Sequence, residues 1–348
     1  MQNGPSFKSN NVRSLGELRT WLANGTEDIL EPALPIVDPH HHLRETAHGR
    51  YLLPELAEDL ASGHNIRATV FVDSQTKHRA DGPAVLRPVG ETDFVLQSLA
   101  AADSRVAALN PCAGIVGNLD LTFGAAVREG LEAHIAAAHD RFRGIRDPLM
   151  WDGGDINYGV RRPPPDRMID PRFRAGFAEL APLGMTFDAW LFHPQLPLLT
   201  GLARDFPDTT IILNHVGAPL GVGPYASHRA EIFASWRSSL VELARCPNVV
   251  VKVGGLGMLF FGFGFEQRDV PASSAELAAA WRPYVETCID AFGPGRCMFE
   301  SNFPVDQQSC SYATLWNAYK RIAARYSASE KTALFFGTAN RIYRLGLE

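Results

Sequence analysis

The sequence of 348 residues lacks several features that would point to other classes of protein. It has only five cysteines, an odd number, and no two of them show the Cys-x-x-Cys spacing of a metal or redox motif. It has no run of about 18 apolar residues that would predict a membrane span. Its polar N-terminus has no apolar stretch typical of a secretory signal. We therefore expect a cytoplasmic protein with reduced thiols.

The chain also lacks an excess of positive charge, because its formal net charge is −5. Binding of nucleic acid needs a clustered basic face, so we expect no nucleic-acid partner and no membrane partner. A GxSxG nucleophile elbow, a GxxxxGK[ST] phosphate loop and an HExxH helix are all absent from the sequence. These absences argue against the enzyme classes that depend on those motifs.

After residue 34 the sequence alternates regularly between short apolar strands and helical patterns. We predict eight strands, near residues 35–42, 68–74, 106–116, 142–147, 186–193, 210–216, 249–254 and 297–303. Such alternation indicates parallel strands with helical crossovers, and eight units favour closure over the rival doubly wound open sheet. The predicted α/β fold is a single (β/α)8 TIM barrel over 35–348, after an N-terminal extension, 1–34. A closing helical segment is expected at 328–345.

The strongest chemical signal is the pair His40 and His42 at the end of the first predicted strand. Side chains two apart in a strand face the same way, so both imidazoles can bind one ion, whereas His41 faces the helices. His215 ends the sixth strand and is the natural third ligand. Imidazole suits zinc and other divalent metals. The alternative, histidines that only cap loops, stays open.

The eighth predicted strand brings Glu300 and Asn302 onto one face. If this face lines the barrel interior, Glu300 is a buried carboxyl group with a raised pKa, suited to general acid or base catalysis. A salt bridge inside the barrel, with Lys252 or with an arginine of the fourth strand, is an equally good interpretation of the same residue.

Other strand ends supply candidate contacts for a small anionic substrate. Arg143 and Arg146 lie on the fourth strand, and the guanidinium fork matches carboxylates; an ion pair with Asp147 is the alternative for either arginine. The remaining candidates for substrate contacts are Trp190, His193 and Lys252. A run of four phenylalanines among glycines, 260–265, fits either an apolar lid or the contact surface of a homo-oligomer.

An ordered set of motifs resembles the amidohydrolase superfamily, within the group of predicted metal-dependent TIM-barrel hydrolases that includes sugar lactonases and 2-pyrone-4,6-dicarboxylate lactonase. The motifs that carry the resemblance are 36–42, 142–146, 213–217, 251–255 and 299–304. The resemblance implies hydrolysis of a lactone or a related cyclic ester. It also implies that His40, His42 and His215 take metal positions and that the two arginines hold a substrate carboxylate. Members of this group differ in whether they need a metal, so metal-independent catalysis stays open.

The sequence departs from the family pattern at Asn302, where the family usually has an aspartate that handles the proton of the attacking water. An amide cannot accept that proton, so the hypothesis is that Glu300 has taken over this role, with Asp306 as the second candidate. Two other functions stay open. One is a metal-dependent decarboxylase of an aromatic acid, and the other is a non-catalytic barrel that binds a small acid.

Overall fold

The computed structural model describes residues 12–46, 49–153, 156 and 163–348. Eight parallel strands pair with their neighbours in chain order. They are β1 Pro35–His41, β2 Asn65–Val72, β3 Gly114–Asn118, β4 Phe142–Arg146, β5 Thr186–Ala189, β6 Ile211–Leu213, β7 Val249–Val253 and β8 Cys297–Phe299. The His42 N–H donates to the Phe303 carbonyl at 2.8 Å, and the Asn302 N–H donates to the His40 carbonyl at 2.9 Å. These bonds return the chain after β8 to the end of β1, which confirms the predicted barrel.

Helices surround the barrel and follow most of its strands. They are α1 Leu15–Leu22, α2 Leu53–Leu60, α3 Val89–Ala100, α4 Ser104–Ala108, α5 Val127–Ala138, α6 Pro171–Phe177, α7 Leu196–Asp205, α8 Arg229–Leu243, α9 Ser274–Phe292, α10 Tyr312–Ala323, α11 Ala328–Thr332 and α12 Thr338–Ile342. A π-helical turn, Ala333–Gly337, joins the last two, and a short hairpin pairs Arg44–Thr46 with Gly49–Tyr51. Among the described residues, no helix is long and apolar enough to cross a membrane.

The barrel strands are apolar runs because both of their faces are covered. All residues of β6 and β7 are buried, as expected where helices pack on the outer face and other strands on the inner face. From its N-terminal end as far as Val72, the last residue of β2, the interior is filled by nine side chains, which we call the barrel floor. They are Val37, Val70, Val72, Val116, Ile212, Val250 and Met298 from the strands, with Ala339 and Tyr343 from α12 and the residue that follows it. The C-terminal segment thus closes this end of the barrel.

The prediction of the third strand at 106–116 was wrong at its start. Residues 104–108 form α4, and β3 begins only at Gly114. The reason is local, since the Asp103 side chain accepts the N–H groups of Arg105 and Val106 and so caps a helix. The predicted fifth, sixth and eighth strands also end early. After the last two the chain turns into left-handed conformations at His215 (φ 53°) and Asn302 (φ 55°).

Candidate active site at the C-terminal end of the barrel

Three predicted site residues meet where the strands end. His40 comes from β1, His215 follows β6 and Glu300 follows β8. The Nδ1 atom of His40 lies 2.8 Å from Glu300 Oε2, and His215 Nδ1 lies 2.7 Å from Glu300 Oε1. All three side chains are buried, and one ligand atom from each lies within 4.8 Å of the others. We call these residues the His–Glu centre.

Burial determines the charge states in the His–Glu centre. It raises the pKa of Glu300 to about 8, although the Lys252 ammonium and the backbone N–H of His215 act to lower it. Burial also lowers the pKa values of His40 and His215 well below the ordinary histidine value. The imidazoles are therefore neutral near pH 7, and Glu300 can both hold and release a proton there.

His42 lies beside this centre but is not one of its three members. Its Nδ1 atom is 2.8 Å from the Val72 carbonyl, so a neutral His42 donates there and keeps Nε2 as an acceptor. The rings of His42 and His40 are 5.0 Å apart between centroids. His41 lies apart from this pair, with Nε2 2.8 Å from the Thr69 hydroxyl.

The donor atoms of the centre fit a divalent metal ion. Glu300 Oε2 is buried and has no aligned hydrogen-bond partner, even though His40 Nδ1 is 2.8 Å away. A carboxylate oxygen and two imidazoles within reach of one point are typical ligands of zinc and related ions.

The balance of charges around the centre is also compatible with an added cation. Lys252 is paired with Asp188, and Arg146 is paired with Asp73, so each neighbouring positive charge already has a carboxylate of its own. Within the described part of the chain, Glu300 has no lysine or arginine at salt-bridge distance. It is therefore the carboxylate available to balance an added positive charge.

Lys252 lies on β7, the strand on which the sequence prediction placed it. Its ammonium is fully buried and donates to Asp188 Oδ1 at 2.6 Å, with His40 Nδ1 3.3 Å away. It therefore lies inside the barrel, between Asp188 and the His40 ring of the His–Glu centre. The predicted internal salt bridge exists, but its acid is Asp188 and not Glu300.

The two predicted arginines are separated by the length of β4. Arg146 donates to Asp73 Oδ1 at 2.5 Å, and its Nη1 atom lies 3.4 Å from His40 Nε2. Arg143 lies at the opposite end of the barrel, where its Nη2 atom donates to the Arg344 carbonyl at 3.3 Å. The structure therefore brings only Arg146 to the centre. The alternative partner considered for either arginine, Asp147, is bound by another residue, Arg167, at 2.6 Å.

Asn302 and Asp306 bind each other. The Asn302 side-chain amide donates to Asp306 Oδ1 at 2.7 Å, and the Gly257 N–H donates to Asp306 Oδ2 at 2.8 Å. Burial raises the pKa of Asp306 well above its ordinary range. Because both oxygens of Asp306 are occupied, Glu300 is the better placed of the two candidate bases.

Aromatic side chains form one wall of the centre. The Trp190 ring meets the His215 ring edge-on at 4.7 Å, and Phe260 lies 5.7 Å from Trp190. Phe260 is fully buried, so the start of the predicted apolar lid is packed against this wall. Nearby, His193 Nδ1 accepts the Leu220 N–H at 3.3 Å. Burial lowers the pKa of His193 to about 4, so this imidazole is neutral and carries its proton on Nε2.

Sequence reasoning did not identify three residues that support the site: Asp73, Asp188 and Tyr343. For Asp73 and Asp188 a signal was present, because each is an acid in or directly after an apolar strand and must be paired if it is buried. Tyr343 gave no comparable signal. Its hydroxyl reaches Asp188 only because the C-terminal segment enters the barrel.

The fold and the site define a parallel α/β barrel with a buried polar centre at the C-terminal ends of its strands. A family model described as Amidohydrolase matches residues 37–345, and the chain belongs to this family, which confirms the resemblance seen in the motifs. An uncharacterised protein, y4mH of Sinorhizobium fredii, is 34% identical over 90% of this chain and 99% of its own. An L-fucono-1,5-lactonase of Burkholderia multivorans is 31% identical over 73% of this chain and 77% of its own.

A solved structure shares the fold over nearly its whole length. It is the crystal structure of an amidohydrolase from Burkholderia multivorans with bound HEPES, at a TM-score of 0.67 and 25% identity. The match covers 89% of this chain and 99% of that one.

Proposed function

We propose that this protein is a hydrolase that opens a lactone ring by adding water to the carbonyl carbon. The observation that carries the proposal is the buried Glu300 carboxyl group between two neutral imidazoles, with its pKa near 8. The similarity to an L-fucono-1,5-lactonase supports a lactone as the class of substrate.

The two oxygens of Glu300 have different surroundings, and this suggests how the proton moves. Oε1 accepts a hydrogen bond from the backbone N–H of His215 at 3.1 Å and lies 2.7 Å from the ring atom His215 Nδ1, so it is held in place. Oε2 has no aligned partner and is the atom that takes the proton of the attacking water. When the ring C–O bond breaks, Oε2 returns that proton to the leaving oxygen, and the product is a hydroxy acid.

His40, His215 and Glu300 are the residues that would hold a divalent metal, with zinc as the proposed ion. His42 is a further proposed ligand, because its bond to Val72 leaves Nε2 as an acceptor. Such an ion lowers the pKa of water and polarises a carbonyl group.

Other side chains would orient the substrate. Arg146 is held by Asp73 and lies against His40, so its guanidinium is placed to bind a carboxylate of the substrate or product. His193 offers a neutral N–H donor, and Trp190 offers an apolar surface.

The test is turnover of a panel of sugar lactones and carboxylated pyrone lactones by the purified protein. Acid release at constant pH measures the rate, and NMR identifies the product. We expect a ring-opened hydroxy acid, and loss of turnover on chelation that added zinc reverses. Release of carbon dioxide from an aromatic acid without any lactone turnover would replace the proposal with a decarboxylase. Ligand-induced thermal shifts without turnover of either class would point to a binding protein.

A further inference from the structure

A fully buried ion pair lies between the barrel floor and the His–Glu centre. Lys252 and Asp188 are both completely inaccessible, and their charged atoms are 2.6 Å apart. Burial of two charges carries a large desolvation penalty for each ion, and a protein with apolar residues of similar volume in their place is often as stable or more stable. The floor, immediately below, is filled by apolar residues. Stability alone therefore gives no reason for the pair at this position.

Asp188 is held from three directions. Besides Lys252, the Asn214 side chain donates to Oδ1 at 2.8 Å, and the Tyr343 hydroxyl lies 3.1 Å from both carboxylate oxygens. Asn214 follows β6, whereas Tyr343 belongs to the C-terminal segment that closes the other end of the barrel. The position of this carboxylate is therefore set by parts of the chain that are far apart in sequence.

The ammonium also lies close to the proposed reacting groups. Lys252 Nζ lies 3.3 Å from His40 Nδ1, which is the nitrogen that contacts Glu300 Oε2 at 2.8 Å. The ammonium also lies 5.3 Å from the centre of the Tyr343 ring, over its face. A fixed positive charge at this position favours one orientation of the imidazole and attracts the carboxylate of Glu300.

We propose that Asp188, Lys252 and Tyr343 form a positioning network, in which the C-terminal segment holds the Lys252 ammonium against His40 and so fixes His40 beside Glu300. None of the three residues is required to touch the substrate. The catalytic part of this inference rests on the proposed function, whereas the geometric part does not.

The main test removes both charges together, in the double variant Lys252→Met and Asp188→Asn. Methionine replaces the aliphatic stem, and asparagine keeps an oxygen for Tyr343 and Asn214, so no unpaired charge is left behind. With a lactone that the wild type hydrolyses, we expect kcat to fall about tenfold or more while KM stays within about twofold. We expect the melting temperature to change little. A folded double variant with wild-type kcat would overturn the proposal.

A gentler variant tests the role of the C-terminal segment. Tyr343→Phe removes one hydroxyl group and keeps the ring beside Lys252, so we expect a fall of about threefold in kcat with unchanged KM. Its matched control is Tyr326→Phe, because the Tyr326 hydroxyl has no hydrogen-bond partner among the described residues. Equal kcat values for the two variants would remove Tyr343 from the network. This pair of variants also decides the question if the double variant does not fold.

A readout that needs no substrate separates this inference from the proposed function. The ring nitrogens of His40 can be followed by NMR in protein labelled with 15N-histidine and assigned through their loss in His40→Gln. We expect one fixed tautomer in the wild type and changed nitrogen shifts in the double variant and in Tyr343→Phe, but not in Tyr326→Phe. Unchanged His40 signals would contradict the network even if no lactone were hydrolysed.

Discussion

The two ends of the barrel interior are made by the same strands but have opposite characters. On β7, Val250 lies in the floor and Lys252 lies two residues further along, against the His–Glu centre. Around β8, Met298 and Glu300 show the same relation. Side chains two apart in a strand share a face. On each of these strands, therefore, the side chain two residues beyond an apolar floor residue lies at the His–Glu centre. Stability and activity should therefore respond to different residues of the same strand.

The largest expected effect is the loss of turnover in Glu300→Gln, at the end of the barrel interior that carries the His–Glu centre. Glutamine keeps the size of the side chain and an oxygen for His215 but cannot take up a proton, so we expect kcat to fall by about 10²–10⁴. The melting temperature should change little. Glu266→Gln, the same change at another buried site, is the control for turnover and unfolding. Near-normal turnover by Glu300→Gln would exclude this carboxylate from the reaction.

The matching change on the apolar end is Ile212→Ala in the floor. Ile212 is fully buried, so the lost contacts and the cavity should cost about 2–5 kcal/mol of unfolding free energy. Urea unfolding measures this loss. At a temperature where the variant stays folded, we expect KM and kcat close to those of the wild type. A specific loss of kcat would break the proposed separation of the two ends.

A half-buried acid outside the barrel sharpens the comparison, because a raised pKa is not unique to the centre. Burial raises the pKa of Asp59 on α2 to about 7, although a hydrogen bond from Tyr51 at 2.6 Å lowers it. The unfolded value is about 3.9, so the folded state binds the proton more tightly, and this stabilisation is lost as pH rises from about 4 to 7.

Asp59→Asn has no group that titrates at this position, so it avoids that loss. The free energy of unfolding of the variant minus that of the wild type should therefore rise between pH 4 and 7, by up to about 4 kcal/mol. Unfolding by urea at pH 4, 5.5 and 7.5 measures the trend, and turnover should be unchanged. A difference in stability that does not depend on pH would show that folding does not raise the pKa of Asp59.

The smallest effect concerns Asn302, where the family usually has aspartate. Asn302→Asp would place a second carboxylate against the buried Asp306 and remove its amide donor, at a cost of about 1–3 kcal/mol. The exchanged double variant, Asn302→Asp with Asp306→Asn, should recover most of the stability. We expect neither variant to exceed wild-type turnover. A faster Asn302→Asp enzyme would instead identify Asn302 as a lost catalytic aspartate.

The sequence was sufficient for the features that depend on local periodicity. Apolar runs predicted the strands, and their C-terminal ends predicted that His40, His42 and His215 converge. The structure instead brings His40 and His215 together with Glu300 and leaves His42 beside them. Arg143 shows the limit of this reasoning, because β4 is so short that residues 143 and 146 lie at opposite ends of the barrel.

The pairs that support the site could not be predicted in the same way. The bonds from Lys252 to Asp188 and from Tyr343 to Asp188 join residues 64 and 155 positions apart. Which strand lies beside which, and how far the C-terminal segment enters the barrel, are set by global packing and not by any local pattern.

The seam where the chain after β8 meets β1 has a consequence for biosynthesis. The Asn302 N–H binds the His40 carbonyl, so the bond that closes the barrel also joins the two strands that carry His40 and Glu300. The ribosome makes His40 long before Glu300, because β1 and β8 are the first and last strands of the barrel. A nascent chain therefore cannot assemble the reactive cluster, or hold a metal with all its proposed ligands, until all eight strands have emerged and the ring of strands has closed.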